Sequence, residues 1–114
     1  MIIKQLKDVP YEDTTGYQNV SKQILIGPKD GSDEIVMRYF SLAADGASPY
    51  HDHGFPHLVQ IIQGSGVVID AQGEEHALAK GDFVFVKSDE IHGFKNSGEE
   101  PFDFICTIPV RGEA

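Results

Sequence analysis

Apolar and polar residues alternate with a period of two through most of this chain, always in short pieces. VSKQILI (20–26), EIVMRYFSL (34–42), HLVQIIQ (57–63), GVVID (66–70), EEHALA (74–79), DFVFV (82–86), IHGFK (91–95) and FDFICTI (102–108) are rich in Ile, Val and Phe. Clusters of Gly, Asp, Asn and Pro bound them. Branched and aromatic side chains fit a pleated, half-buried surface, and these boundaries are where strands turn. The only helical competitor is EEHALAK (74–80), which DAQG before it and KGD after it mark as a hairpin strand instead. Eight to eleven strands with turn signals about every 8–12 residues predict an antiparallel sandwich or barrel. No linker, repeat or shift in composition divides residues 1–114, so the expectation is one all-β domain with a core of its own.

Charge narrows the partners. The net charge is −9, from 18 Asp and Glu against 9 Lys and Arg, and the basic residues are scattered. Binding to phosphates requires a clustered positive footprint, so neither nucleic acid nor an anionic membrane surface is expected as a partner. A small anionic ligand stays compatible, because one local positive centre overrides a negative surface. No apolar run approaches the ~18 residues of a membrane span, and MIIKQLKDVPYEDTT (1–15) lacks the apolar core of a signal peptide. With Cys106 as its single cysteine, the chain has no disulfide framework, and a cytoplasmic location is the expectation.

Three of the five histidines fall within seven positions, His51, His53 and His57. His51 and His53, two apart on an extended segment, point to one face. His57 opens the next strand after the Gly54-Phe55-Pro56 bend, and antiparallel strands stand only about 4.8 Å apart. His92 follows the strand DFVFV and suits a return strand across the same pocket. Four imidazoles converging from three strands leave buried acceptor nitrogens that need a partner. A divalent transition metal supplies one; imidazole suits Zn, Cu, Fe and Ni. His76, in an acidic hairpin strand with no partner at metal-ligand spacing, is expected in solvent. Period two turns Asp52 and Glu90 to the opposite face, and Asp82 after Gly81 reads as turn chemistry.

The same residues resemble the two motifs of the cupin superfamily. In the first, G-x5-H-x-H-x3,4-E-x6-G, the residues Gly46, His51, His53, His57 and Gly64 fall in step over about 46–66, with one residue fewer before the first histidine. In GDFVFVKSDEIHGFKN (81–96), Gly81, His92 and Asn96 match the second, G-x5-P-x-G-x2-H-x3-N, while Lys87 and Asp89 replace its Pro and Gly. His57 stands where most cupins carry glutamate. The chain is therefore similar to small single-domain cupins with an all-histidine site, a subgroup with a manganese-binding thermophilic member. The resemblance implies a cupin barrel (a jelly roll, or double-stranded β-helix). It also implies one divalent metal per chain on His51, His53, His57 and His92. Manganese or iron follows from the resemblance; Zn, Ni and Cu follow from ligand chemistry. Four neutral imidazoles leave such a site at about +2, against about +1 when one ligand is glutamate.

Pocket walls follow in part from the family's barrel, which sets FDFICTI beside the metal and so implies Phe104 and Cys106 as lining. Phe104 equally suits plain core packing, and Cys106 reads as a small buried hydrophobe more readily than as a nucleophile. Phe94 shares parity with His92. Arg38 alternates with Val36, Phe40 and Leu42. If those face inward, a guanidinium enters the pocket and can clamp a carboxylate; if Met37 and Tyr39 do, Arg38 is exposed.

Three functional readings remain open. The favoured one is a metal-dependent oxygenase acting on a small oxygenated molecule. The others are a metal-dependent isomerase or lyase of sugar or uronate metabolism and a non-catalytic binding module. MIIKQLKDV (1–9) has no evident partner in a minimal barrel and is expected to pair across a homodimer.

Overall fold

In the computed structural model, residues 1–113 are described. They form eight strands: β1 (Gln18–Ile26), β2 (Ile35–Ala47), β3 (His57–Gln63), β4 (Ser65–Ile69), β5 (Glu75–Ala79), β6 (Phe83–Val86), β7 (Gly93–Asn96) and β8 (Phe102–Pro109). Every pairing is antiparallel. The order across the sheet is β5-β4-β7-β2-β8-β3-β6, and β1, off this path, pairs with β2. Helical structure among the described residues is confined to three-residue 3-10 turns at Leu6–Asp8, Pro28–Asp30 and Val110–Gly112. None is long and apolar enough to cross a membrane.

The period-two pattern sorts the faces. In β2, Val36, Arg38, Phe40 and Leu42 are buried, while Ile35 and Met37 are exposed. In β8, Phe102, Phe104, Cys106 and Ile108 turn the same way. Because β2 and β8 pair Arg38 with Cys106 and Phe40 with Phe104, these side chains stand opposite one another on one inner face. Phe40, Phe104 and Cys106 join Val59, Ile61 and Phe94 in a single apolar cluster. Its removal from water is the main force closing the sheet on itself.

Two strands differ from the sequence expectation. β2 runs five residues beyond Leu42, bending at Asp45, whose φ of 63° is one a short polar side chain tolerates. The strand expected at 91–95 begins only at Gly93, because Asp89 (φ 67°) turns the chain just before it. Two motif-region glycines are needed for packing. A Cβ on Gly64 (φ 84°), between β3 and β4, would strike the backbone of Pro101, and one on Gly66 would enter the Phe102 ring.

The N-terminal segment, expected to lack a partner within the barrel, has one. Residues 4–11 have partners within their own chain: buried Gln23 donates from Nε2 to the carbonyls of Leu6 (3.1 Å) and Val9 (3.0 Å). Tyr11 bridges Gln23, and Lys4 pairs with Asp30 at 2.7 Å. A side-chain amide reading two carbonyls leaves no trace in apolar periodicity.

Candidate metal centre

Backbone contacts bring the histidines together before their side chains act. His51 and His92 form an isolated bridge, His51 N donating to His92 O at 3.0 Å and the reverse at 2.9 Å. Asp89 N donates to His53 O at 2.6 Å, and the bend at 54–56 delivers His57 as the first, buried residue of β3. Ring centroids then lie 4.2 Å apart for His51–His53, 5.1 Å for His53–His57 and 4.8 Å for His57–His92. His51, His53 and His92 offer ring nitrogens all within 4.8 Å of one another. His57 borders this trio without completing it at that spacing.

The donor set suits a divalent cation. His92 Nδ1 lies 2.9 Å from the carbonyl of Glu90, which can only accept. Nδ1 therefore carries the proton and Nε2 a free lone pair. His57 Nδ1 sits 3.4 Å from Cys106 Sγ, and its Nε2 is buried with no hydrogen-bond partner, an expensive condition unless something binds it. Desolvation, with the neighbouring His51 and His92 as further causes, holds His53 down to about 4. Desolvation with His92 and Arg38 holds His57 at about 3. His51 is lowered too, again chiefly by desolvation. These rings are neutral at neutral pH, the form in which imidazole ligates.

A cavity of about 40 Å³ opens beside the rings, bordered by Tyr17, Arg38, Phe40, Phe94, Phe104 and Cys106 among others. It has room for roughly three water-sized groups. Arg38 is 93% buried, its relative exposure being 7%. Its guanidinium lies 5.0 Å over the Phe40 ring, Nη2 donates to Cys106 Sγ at 3.0 Å, and Nε is buried without a partner. Burial pushes the Cys106 thiol up, against Arg38, which lowers it.

Several side chains point to other partners. Asp52 is exposed. Glu90 accepts the Lys87 amide (3.1 Å), and Asp82 accepts that of Ala79 (2.8 Å), as turn residues do. His76 is exposed as expected but not without a partner: its Nε2 lies 2.7 Å from Asp70 Oδ2, and Asp70, Glu74 and His76 cluster at ligand spacing. The β4–β5 hairpin turn folds them together, a proximity that linear spacing conceals.

Sequence reasoning also missed Phe55, stacked on His53 at 4.8 Å, and Tyr17. It missed Glu113 too, which reaches Lys22 across 91 positions at 2.9 Å and Arg38 at 3.5 Å. No local pattern signals a contact of that span.

A family model described as "Cupin domain" matches residues 38–108. No curated protein matches the sequence. Among solved structures, the chain is similar to the polyketide cyclase RemF from Streptomyces resistomycificus at 26% identity and TM-score 0.91, covering 96% of this chain and 80% of that one. It is similar to a cupin 2 conserved barrel domain protein from Rhodopseudomonas palustris at 28% and 0.75, covering 89% and 69%. A predicted oxalate decarboxylase from Thermotoga maritima, at 21% and 0.84 over 96% and 99%, shares the fold.

Proposed function

The chain belongs to the cupin domain family, and from that premise we propose that it is a metal-dependent enzyme of oxygenase type acting on a small, anionic, oxygenated molecule. The observation that carries this reading is the meeting of two features in one cavity: neutral imidazoles with free nitrogens, and a buried guanidinium. His51, His53 and His92 would hold the metal with His57 as fourth ligand, Mn or Fe being favoured by the family resemblance. A bound divalent metal would supply Lewis acidity and coordination positions beyond its histidines. The chain's own residues do the rest. Arg38 fixes a carboxylate or enolate oxygen by a charge-assisted hydrogen bond, its Nε being without a partner. Phe40, Phe94 and Phe104 exclude water, which strengthens each electrostatic contact inside. The cavity volume limits the substrate to a few heavy atoms unless the walls part.

The test is metal analysis of the purified protein, then oxygen uptake with a panel of diketones and unsaturated acids. Substrate-dependent uptake that tracks metal content is expected. Turnover without oxygen consumption favours a second reading, a proton-transfer enzyme such as a cyclase, isomerase or lyase. Two observations support it: the Tyr17 phenol lines the same cavity, and the likeness to a polyketide cyclase covers most of both chains.

A homodimer is also proposed. Leu58, Phe83 and Phe85 lie exposed on β3 and β6, and β6 ends the sheet with an unpaired edge, a surface that folded proteins cover.

A further inference from the structure

Resting on the reading that the cavity takes a small anion, we propose that Glu113 sets the strength of that anion site by competing for Arg38, and that Lys22 holds Glu113 in check. Three side chains form the device, all mostly buried, with side-chain exposures of 9% for Arg38, 15% for Lys22 and 17% for Glu113. The carboxylate is held closely by Lys22, with Nζ 2.9 Å from Oε1 and 3.0 Å from Oε2. It is held loosely by Arg38, whose Nη1 lies 3.5 Å from Oε1. Two cations thus share one carboxylate, leaving one unit of positive charge uncompensated. That surplus faces the cavity through Arg38, whose Nε lacks a partner.

The backbone explains why the carboxylate lies there. The Val110–Gly112 turn is tied to Glu34 by a 2.9 Å hydrogen bond from Val110 N, and Gly112 packs on the Phe55 ring closely enough to exclude a Cβ. The charge is felt inside the cavity. Burial chiefly raises the Tyr17 phenol, and beyond that Arg38 lowers it and Glu113 raises it. Arg38 borders the cavity whereas Lys22 and Glu113 are not among its lining residues, so an anion there meets the guanidinium rather than its partners. Its affinity depends on how much of the guanidinium's charge the carboxylate has already taken. Glu113 is a positioning residue, and Lys22 acts through it.

Calorimetric titration of acetate into the metal-free protein tests this without any contribution from a metal. Glu113→Gln removes the competitor and tightens acetate binding by about tenfold. Lys22→Met releases the carboxylate toward Arg38 and weakens binding several-fold. In the Glu113→Gln background, Lys22→Met loses most of its effect. Glu113→Asp, which keeps the charge, stays near the parent, and Arg38→Gln abolishes binding. A purely structural role for the cluster moves Glu113→Gln and Lys22→Met in the same direction, and that result overturns the inference. Binding that depends on Arg38 but ignores Glu113→Gln overturns it too, while leaving the anion reading intact. If the parent and every variant fail to bind acetate, the anion reading falls and this inference with it.

Discussion

Arg38 and Cys106 stand directly opposite each other on β2 and β8, with guanidinium Nη2 3.0 Å from the thiol sulfur. The same sulfur lies 3.4 Å from His57 Nδ1, so one buried atom serves both the cation and the candidate ligand. Cys106→Ala strips Arg38 of its acceptor and His57 Nδ1 of its partner, and should destabilise the metal-free protein by about 1–3 kcal/mol. Cys106→Ser, which keeps a polar atom there, should lose less. Urea midpoints for the two variants check this; equal losses would show that the sulfur serves only to fill space.

Gly66→Ala should be costly although Gly66 lies in an ordinary strand. The added methyl enters the ring of Phe102, a fully buried side chain with nowhere to move. Overpacking of this kind costs about 1–3 kcal/mol. A melting temperature within a degree of the parent's would mean that the core yields more easily than its packing implies.

Acid should destabilise the metal-free fold through its histidines. His53 and His57 titrate at about 4 and about 3 when folded, against an ordinary 6.5. Between those values the unfolded chain binds more protons, so stability rises with pH there. It is fully present above about pH 6.5 and drains away as pH falls toward 4. His76 has the opposite sign: Asp70 raises its pKa, so its small contribution is present in acid and fades as pH rises. Melting temperatures across pH 8 to 4 should fall on acidification, and His53→Gln with His57→Gln should flatten that slope. An unchanged slope in the double variant would assign the acid sensitivity to other groups.

His57→Glu should separate charge from ligation. It keeps a ligand but lowers the site's charge by one, so the metal-loaded variant should bind acetate or oxalate more weakly than the parent. Calorimetry on both loaded proteins reads the difference. Equal or tighter binding would mean that His57 serves geometry rather than charge.

The strands were legible in the sequence because burial on one face of a sheet imposes period two, and β2 and β8 obey it closely. The clustered histidines were legible through their motif spacing, although only His57 of them lies on a strand, His51 and His92 meeting in an isolated bridge. Arg38 was ambiguous, since either face of VMRYFS could have turned inward; burial of Val36, Phe40 and Leu42 decides it. Glu113, Lys22 and the Gln23 tether were illegible because each contact joins distant segments through one side chain. The exposure of His76 was legible, but its partner Asp70 was not, for the related reason that it lies across a turn.

The central claim is that the clustered histidines hold one divalent metal per chain, and metal content measured by mass spectrometry after purification tests it most directly. The parent should carry one equivalent per 12.5 kDa chain, and His76→Ala should match it. His51→Ala with His53→Ala should carry almost none while remaining folded. Metal retained by that double variant at the parent's level would contradict the account.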